Sequence, residues 1–440
     1  MSSYIITGGT PLYGSVKVGG AKNASYKIMI AALLGDSPSR LLNFSRISDV
    51  GLVAKIINSL GANAKTMGER AYLINPQNLN SYSPESNCGQ NSRASTMFIP
   101  VLLHRFGQAI VPYPGGDKIG KRPLERHFDG LIALGAEIKA KGDLIKVSAK
   151  QLSGTHYKFA KNTHTGTETL IMAAVKAQGT TLLENAAQET EVDDLIKFLN
   201  SMGAKIKRTQ HRTIEIQGVK KLKGAIFKVM ADQNQVVSFA CAALATKGDI
   251  IVENARTQDI MAFLKKLDDA GGGYEVGEYG IRFFYKQPLT ATDVITQPHP
   301  GFKTDWQPLW ATLMTQAEGE SVVHETVSQN RFKYTQALRK MGAKIKLFNP
   351  RVENPEKIYN FNVKDIKKED KHAAKITGKT DLIGGEFEIE DLRHGATLLI
   401  AGMTAWGKTT LRDPKNHIGR GYEDLDQLFQ TMGAKIKRLD

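Results

Sequence analysis

The chain has 440 residues, too many for one ordinary core and enough for two domains, and its apolar content of 41% is that of a globular protein. Its two cysteines exclude a disulfide framework, and without a long apolar run or a signal-peptide pattern we expect no membrane insertion and a cytoplasmic location. The net charge of +15 favours an anionic partner, which leaves nucleic acid, an acidic membrane surface and a phosphorylated metabolite open.

One helix ending recurs six times along the chain. Six glycines, each after a small or apolar helix end, are spaced by about 70 residues or somewhat more. They are Gly61, Gly135, Gly203, Gly271, Gly342 and Gly433. A second series keeps the same register, and its members are Gly35, Gly107, Gly179, Gly248, Gly319 and Gly407. Two markers in phase predict six copies of one structural unit, three in each of two domains.

The chain opens on a predicted strand, residues 4–18, which precedes the first buried helix and is expected to close a sheet of the second domain. The third copy shows the repeated unit most clearly. A strand ending at Phe159 is followed by a polar loop at 161–166 and a helix through 170–175. A strand at 180–185, a helix at 193–202 and two alternating strands complete the copy. The repeated unit is therefore β-α-β-α-β-β.

The first helix of each copy is apolar nearly all round. Residues 26–34, 170–175 and 236–245 show this pattern, which predicts helices buried on every side. The simplest solution packs three such helices at the centre of each domain and places the sheets outside them. The sequence thus predicts an α/β fold of two inside-out α/β barrels, the first at 21–230 and the second formed by 1–20 with 231–440.

Polar residues gather just before the buried helices. Helix N-termini attract anions, whereas a lysine or arginine there opposes the helix dipole and needs a ligand to justify it. An aspartate in this position is often only an N-cap, as we expect for Asp232, but the segment Pro298–Asp305 is too singular for a cap alone. If these ends face each other across two domains, they form a cleft for a charged substrate. The set is Lys22, Asn23, Arg93, Lys161, His164, Asp232, Asp305, Asp391 and Arg393.

The loop 114–123 is the second polar gathering. Its three glycines and two prolines predict a loop, and it holds Asp117 among Lys118, Lys121 and Arg122. Such a loop is typical of a lid that closes on a charged substrate, and the alternative is a solvated charged turn. It lacks the spacing of a phosphate-binding Walker motif.

Seven motifs in order give the chain a resemblance from Gly8 to Lys437. It resembles the enolpyruvyl transferase family, in the form that acts on UDP-N-acetylglucosamine. The resemblance implies transfer of the 1-carboxyvinyl group of phosphoenolpyruvate to the sugar 3′-hydroxyl, with release of phosphate by addition and elimination. It also implies two inside-out barrels with the active site in the cleft between them, no metal and no organic cofactor. The motifs are Gly20–Asn23, Arg93–Ser95, Pro114–His127, Pro298–Asp305, Glu325–Val327 with Asn330–Phe332, Asp391–Arg393 and His417–Glu423.

The resemblance implies a role for each matching residue. Asp117 would donate a proton in the addition step and Asp305 would take the proton of the sugar hydroxyl. Lys22 and Arg393 join them as catalytic residues. Binding of phosphoenolpyruvate is implied for Lys22, Asn23, Arg122, Arg331, Arg393 and Arg420, because its phosphate and carboxylate need fixed cations. Contacts to the UDP-sugar are implied for Arg93, Pro123, Leu124, Glu125, Lys161, Thr163, Asp305 and Val327.

Three positions depart from the commonest family pattern. Asp117 stands where most members have cysteine, and a carboxylate is a much poorer nucleophile than a thiolate, so we expect resistance to the epoxide fosfomycin. Neighbouring cations favour the ionised form of Asp117, whereas bound substrate anions favour the protonated form. The sequence does not decide which form is present in the complex. Arg126 and His164 replace apolar or small residues beside the base, where stacking is the expected substitute.

The resemblance places the reaction at the first committed step of peptidoglycan precursor synthesis, and so in cell-wall biogenesis, cell shape, the cell cycle and cell division. Three alternatives remain: an enolpyruvyl transferase acting on shikimate phosphate, an RNA-end cyclase, and a non-catalytic protein on the same scaffold. The Gly20–Asn23 motif and the loop argue against the first, and the absence of base-stacking motifs argues against a nucleic-acid partner. The retained cations argue against the third. Oligomeric state is not predicted.

Overall fold

The computed structural model describes residues 2–84, 94–113 and 124–439. Within these ranges the chain divides into two compact units. The continuous unit comprises the described residues of 19–230. The split unit comprises residues 2–18 and 231–439.

The described helices follow the order of the predicted copies. Those of the continuous unit are α1 (Lys22–Ala32), α2 (Ser48–Ser59), α3 (Ala94–Met97), α4 (Ile99–Phe106), α5 (Glu125–Ala133), α6 (His164–Ala174) and α7 (Thr190–Ser201). Those of the split unit are α8 (Gln233–Ala245), α9 (Thr257–Asp269), α10 (Gln307–Met314), α11 (Tyr334–Lys340), α12 (Pro355–Ile358), α13 (Leu392–Thr404) and α14 (Leu425–Thr431). Two short 3₁₀ helices span Val363–Asp365 and Ile418–Arg420.

The described strands build three sheets in each unit. The first strands are β1 (Ser2–Thr7), β2 (Tyr13–Lys17), β3 (Ser39–Leu42), β4 (Asn63–Thr66), β5 (Ala71–Asn75), β6 (Gln108–Pro112), β7 (Glu137–Lys141) and β8 (Leu144–Ser148). The next are β9 (His156–Lys158), β10 (Thr180–Glu184), β11 (Lys205–Gln210), β12 (Thr213–Gln217), β13 (Ile226–Lys228), β14 (Asp249–Glu253), β15 (Gly273–Gly277) and β16 (Gly280–Phe284). The last are β17 (Val294–Ile295), β18 (Gly319–His324), β19 (Lys344–Phe348), β20 (Ala373–Gly378), β21 (Glu386–Glu388), β22 (Lys408–Asp413) and β23 (Lys435–Leu439).

Each four-stranded sheet has the same plan, one parallel pair and two antiparallel pairs. In the continuous unit the strand orders are β13-β3-β5-β4, β6-β8-β7 and β11-β12-β10-β9. In the split unit they are β15-β16-β14-β2, β17-β18-β20-β19 and β21-β22-β1-β23. In the third copy, for example, Leu183 of β10 lies opposite Tyr157 in the parallel direction and opposite Ile214 in the antiparallel direction. The repeated β-α-β-α-β-β unit is confirmed.

Three helices without a polar face form the centre of the split unit. Helices α8, α10 and α13 pack against one another, and every residue of α8 and α10 is buried. In the continuous unit α4 packs against α6 and α3 against α1. Because a helix that is apolar all round has no face to show to water, these helices lie inside and the sheets cover them. This is the predicted inside-out α/β arrangement.

Two predicted bounds were wrong. Residues 4–18 form two strands, because the glycines and proline at 8–11 interrupt the extended pattern, and β1 and β2 enter different sheets of the split unit. The buried helices begin earlier than their apolar residues, at Lys22 and at His164, so the predicted loop 161–166 already contains a helical turn. The first turn of each of these helices is polar, so a pattern of apolar residues does not show where the helix begins.

Two edge strands are exchanged between copies. Strand β2 precedes α1 in the chain but pairs in parallel with β14, from Asp249↔Tyr13 to Glu253↔Lys17. Strand β13 precedes α8 but pairs in parallel with β3, from Ile226↔Arg40 to Lys228↔Leu42. Each of these strands therefore completes a sheet in one unit and leads into a central helix of the other.

Candidate active site

Asp305 lies immediately before the buried helix α10, and it does not cap that helix. The next residue, Trp306, is 1% exposed and packs edge-to-face on Phe302 with 5.5 Å between ring centroids. Its indole Nε1 donates to Oδ1 of Asn234 at 3.0 Å. A buried aromatic contact and a buried hydrogen bond thus hold Trp306, the residue next to Asp305, in place.

Two arginines share one oxygen of Asp305. Nη2 of Arg331 lies 2.5 Å and Nε of Arg393 lies 3.2 Å from Oδ1. The side chains of the two arginines are only 7% and 10% exposed. Burial alone would raise the pKa of Asp305, but the charges and hydrogen bonds of Arg393 and Arg331 outweigh it and hold that pKa far below its usual range. Two cations against one carboxylate leave a positive surplus that suits an anionic ligand.

Arg393 is oriented from two sides. It lies in the first turn of α13, where the N-cap Asp391 accepts hydrogen bonds from the amides of Arg393 and His394 at 2.9 Å each. Its Nη1 donates to the hydroxyl of Tyr422 at 2.6 Å, and that hydroxyl lies 2.8 Å from Oγ of Ser238. Burial raises the pKa of Tyr422, against the influence of Arg393, so the hydroxyl stays neutral. The guanidinium is therefore held in place by uncharged as well as charged partners.

Glu325 anchors the segment that carries Val327. Its carboxylate accepts from the hydroxyls of Thr296 and Thr304 at 2.9 Å and 2.8 Å. It also accepts from the amides of Val327 and Ser328 at 2.8 Å each. Burial raises the pKa of Glu325, which these hydrogen bonds partly offset. Since Thr304 is the neighbour of Asp305, Glu325 ties the Val327 segment to the start of α10.

Arg420 is half-buried and ends the 3₁₀ turn Ile418–Arg420. Asp413, at the end of β22, accepts from the amides of His417 and Ile418 at 2.7 Å and 2.9 Å. The turn is therefore fixed by a buried carboxylate on a strand. Its position is set by the sheet and not by the turn sequence alone.

Lys22 and Asn23 begin helix α1 in the continuous unit. Nζ of Lys22 lies 3.0 Å from Oδ2 of Asp49, in the first turn of α2. Just before the helix, a Cβ on Gly20 would lie 1.8 Å from the carbonyl oxygen of Asn43, so only glycine fits there. The close approach of these two chain segments sets the direction in which α1 starts.

The other UDP-sugar candidates of this unit lie on two neighbouring helix starts. Leu124 is buried and precedes Glu125, the first residue of α5. Thr163 caps α6, its Oγ1 accepting from the amide of Gly166 at 3.3 Å, and Lys161 lies two residues earlier. Nη1 of Arg126 donates to the carbonyl oxygen of Asn162 at 3.1 Å, and this bond joins the two starts. The structure thus brings Leu124 and Glu125 close to Lys161 and Thr163.

Some of the sequence-predicted residues lie outside the described residues. They are Arg93, Asp117, Arg122 and Pro123, with the rest of the loop 114–123. The described candidates form two sets, one in each unit. Asp305, Val327, Arg331, Arg393 and Arg420 belong to the split unit, and Lys22, Asn23, Leu124, Glu125, Lys161 and Thr163 to the continuous unit.

Sequence reasoning missed the supporting residues. Asp49 and Ser238 carried no signal, because each is far along the chain from the residue it supports. Asp413 is close in sequence to the turn that it supports, but it lies outside the recognised motif. Tyr422 and Glu325 lie inside recognised motifs, but the motifs alone assigned them no role. Asp232 does act as the predicted N-cap, accepting from the amides of Asn234 and Gln235.

Across 2–84, 94–113 and 124–439 no group of three or more histidine, cysteine, aspartate or glutamate side chains is arranged to hold a metal ion. None of the helices in those ranges has the length and apolarity needed to cross a bilayer.

Comparison with known proteins places this geometry in a family. The family model described as EPSP synthase (3-phosphoshikimate 1-carboxyvinyltransferase) matches residues 6–429. A protein of Caldanaerobacter subterraneus subsp. tengcongensis named UDP-N-acetylglucosamine 1-carboxyvinyltransferase 3 is 39% identical over 439 residues, covering 100% of both chains. The UDP-N-acetylglucosamine 1-carboxyvinyltransferase of Halothermothrix orenii is 36% identical, also over 100% of both chains.

Solved structures share the fold at lower identity. The enolpyruvyl transferase NikO from Streptomyces tendae has a TM-score of 0.86 at 21% identity, over 99% of this chain and 98% of its own. EPSP synthase from Acinetobacter baumannii has a TM-score of 0.72 at 18% identity, over 100% of both chains. The fold of these structures agrees with the inside-out architecture. The identities of 39% and 36% over the full length of the two relatives show the family. The chain belongs to the enolpyruvyl transferase family and, within it, to the UDP-N-acetylglucosamine 1-carboxyvinyltransferases.

Proposed function

We propose that the protein transfers the enolpyruvyl group of phosphoenolpyruvate to the 3′-hydroxyl of UDP-N-acetylglucosamine and releases phosphate. The carrying observation is the cluster of Asp305 with Arg331 and Arg393. It joins a fixed, ionised carboxylate to two desolvated guanidinium groups. An ionised carboxylate can act as the base that takes the proton of a sugar hydroxyl. Two guanidinium groups can bind a substrate that carries both a carboxylate and a phosphate.

The reaction divides into addition and elimination. In the addition, the sugar oxygen bonds to C2 of phosphoenolpyruvate, Asp305 takes the hydroxyl proton, and a proton is delivered to C3. In the elimination, C3 loses a proton and the C2–O bond to phosphate breaks. A carboxylate near C2 also stabilises positive charge that develops there. When the substrate anion draws the arginines away from Asp305, the carboxylate becomes a stronger base, since the guanidinium groups hold its pKa low.

Cations of both units complete the proposed site. Arg420, Lys22 and Arg122 would contact the phosphate, Arg331 and Arg393 the carboxylate, and Asn23 the tetrahedral intermediate. Arg93, Pro123, Leu124, Glu125, Lys161, Thr163 and Val327 would contact the UDP-sugar. This assignment requires that the two sets face one cleft. Support comes from the full-length similarity to enzymes named for this reaction and from the helix starts on which Lys22 and Arg393 lie.

The test is release of phosphate from phosphoenolpyruvate with different acceptors. We expect release with UDP-N-acetylglucosamine and none with shikimate 3-phosphate or RNA. Mass spectrometry should show the sugar nucleotide heavier by one carboxyvinyl group. Activity with shikimate 3-phosphate alone would reassign the acceptor, and no release with any acceptor would indicate a non-catalytic protein.

Asp117 supports a further part of this proposal. A carboxylic acid can deliver the proton to C3 in place of the thiol found in most relatives, but it is a poor nucleophile toward an epoxide. We therefore expect the enzyme to keep its activity after incubation with fosfomycin. Asp117→Cys should become sensitive, with activity lost over time. Time-dependent inactivation of the unsubstituted enzyme would contradict this assignment.

The proposed reaction supplies the first committed precursor of peptidoglycan. Its place would be the cytoplasm, where both proposed substrates are formed, and loss of the protein would impair cell shape and division through the cell wall. Depletion in the source organism should lead to accumulation of UDP-N-acetylglucosamine. Unchanged levels of this nucleotide would argue against a main role in wall synthesis.

A further inference from the structure

A buried charged trio joins two central helices of the continuous unit. Lys27 of α1 and Glu168 of α6 are 1% and 0% exposed, and Nζ of Lys27 lies 2.5 Å from Oε2 of Glu168. His164, one turn before Glu168, completes the trio with Nε2 at 3.2 Å from Oε1 of Glu168. The same Nε2 lies 3.1 Å from Nζ of Lys27. Burying charged groups removes them from water at a cost, so packing alone does not explain a charged trio inside this unit.

The geometry at Nε2 of His164 allows two states. When the imidazole is neutral, Nε2 can accept a hydrogen bond from the ammonium of Lys27. When the imidazole is charged, Nε2 carries a proton and can donate only to Glu168. Because one nitrogen cannot accept from Lys27 and donate to Glu168 at once, protonation exchanges one partner for the other. The trio is neutral overall in the first state and carries one positive charge in the second.

His164 is placed where such a charge acts on a ligand. It is the first residue of α6, next to the N-cap Thr163, and its side chain is 24% exposed while those of its two partners are not. We propose that His164 is a specificity-determining residue for the sugar nucleotide, whose imidazolium, stabilised by Glu168, supplies one additional positive charge to the diphosphate. The proposal rests on the proposed function, because it takes the UDP-sugar to lie at the start of α6.

Charged groups on each neighbouring element bear on His164. Burial and Lys27 lower its pKa, whereas Glu168 and Glu189 raise it, and the result lies above the usual value. Glu191, the second residue of α7, acts on Lys27 in turn. From α5, His127 contacts Thr165 and Arg126 contacts Asn162 through hydrogen bonds. A bound diphosphate would raise the pKa of His164 further, so binding should take up protons.

The affinity for UDP-N-acetylglucosamine should fall as the pH rises. Because the bound anion raises the pKa of His164, affinity is highest below the pKa of His164 in the free protein and falls as the pH rises through that pKa. The diphosphate of a UDP-sugar keeps a constant charge over this range. If the anion raises the pKa of His164 by about one unit, the Kd for UDP-N-acetylglucosamine rises by about tenfold between the two limits.

The test combines NMR titration of the His164 ring with calorimetric Kd values for UDP-N-acetylglucosamine across the same pH range. His164→Gln should remove the pH dependence of Kd. Glu168→Gln should move the midpoint of the His164 titration to lower pH, and Lys27→Met should move it to higher pH. Opposite shifts are the signature, because a purely structural role gives no reason for the two substitutions to differ in sign.

A matched control is His156→Gln. His156 also pairs with a glutamate, Glu184, at 2.8 Å, but its side chain is 63% exposed and it lies on β9. This variant should leave the pH dependence of Kd unchanged. Where a single variant does not fold, the double variant Lys27→Met/Glu168→Gln removes both buried charges together. Its His164 should titrate below the ordinary value of about 6.5, because burial lowers the pKa more strongly than Glu189 raises it.

Two outcomes would overturn the proposal. One is a pH dependence of Kd that survives in His164→Gln, and the other is a titration midpoint of His164 that moves in the same direction in both single variants. Failure of the proposed function looks different. In that case UDP-N-acetylglucosamine binds at no pH, while the NMR titration of His164 and its response to Glu168→Gln are still observed in the free protein.

Discussion

The carboxylate of Asp305 has two guanidinium partners on one oxygen, so a change at this residue affects both charge and chemistry. Asp305→Asn should lower kcat by about 10²- to 10⁴-fold, the usual contribution of general acid–base catalysis. The amide cannot take the hydroxyl proton, although it still fits the space. Steady-state kinetics measures the effect. The control is Asp268→Asn, an exposed aspartate whose partner is the hydroxyl of Tyr274; an equal loss there would contradict a specific role for Asp305.

Tyr422 supports Arg393 and should act through it. Tyr422→Phe removes the hydroxyl that accepts from Nη1 of Arg393 but keeps the ring. We expect the KM for phosphoenolpyruvate to rise by about tenfold, since a hydrogen bond to a charged group contributes roughly 1.5 kcal/mol. The value of kcat should change less. Ser238→Ala, one bond further away, should show a smaller effect in the same direction, and a larger effect there would contradict this order.

At the residue scale, sequence predicted charged groups better than their supports. Asp305 and Arg393 stand out because charged residues before apolar helices are unusual and occur in recognisable motifs. Ser238 and Asp49 are ordinary polar residues on helices, and only the folded chain shows what they contact. His164 was expected to stack on a base, and the structure adds contacts to Lys27 and Glu168 that no local pattern indicates.

At the scale of the element, the six helix-ending glycines share one backbone conformation. Their φ angles lie between 76° at Gly271 and 104° at Gly203. A side chain at Gly203 would meet open space, so the cost of substitution is conformational. Gly203→Ala should lower the free energy of unfolding by about 1–2 kcal/mol, and Gly203→Asn by less, because asparagine tolerates this region better. Urea denaturation of the two variants measures the difference.

Gly51 provides a control with the opposite sign. It lies within α2, has no positive φ, and also faces open space. Gly51→Ala should raise the free energy of unfolding by about 0.4–1 kcal/mol, since alanine restricts the unfolded chain at a conformation it adopts easily. Equal losses at Gly51 and Gly203 would show that the effect at Gly203 is not conformational.

Local pattern predicted the elements but not all of their partners. The apolar helices and the glycines after helices are set by short-range rules, and these agree with the structure. The placement of the opening strand in the second domain was predicted, but the partner strands of β2 and β13 were not, because an edge strand with alternating side chains fits either of two similar sheets. Pairing between residues more than 180 positions apart is decided by the whole fold, as for Ile226 with Arg40.

At the scale of the whole molecule, the net charge of +15 should affect how substrates arrive. Both proposed substrates are polyanions, and salt screens attraction over distances of about 10 Å at 0.1 M. The KM for each should therefore rise with ionic strength, with a smaller change in kcat. Initial rates in increasing potassium chloride measure this. A KM that stays constant would indicate that only short-range contacts hold the substrates.

Domain closure is a second prediction at this scale. If the two sets of candidate residues face one cleft, binding of UDP-N-acetylglucosamine should draw the units together. Small-angle scattering with and without the nucleotide should show a smaller radius of gyration in the complex. Unchanged dimensions would favour a site that is already formed. The organisation into two barrels was predictable from the sequence, because the two glycine series recur six times along the chain.

The place of β1 has a consequence for how the chain is made. This strand, residues 2–7, lies between β22 and β23, whose residues are synthesised some 400 positions later. Residues 19–230 are contiguous and can assemble while synthesis continues, but β1 must wait some 400 residues for its neighbours. Closing so long a loop is slow. In a nascent chain β1 and β2 therefore stay unpaired for a long time, and a chaperone that shields residues 2–17 should raise the yield of native protein.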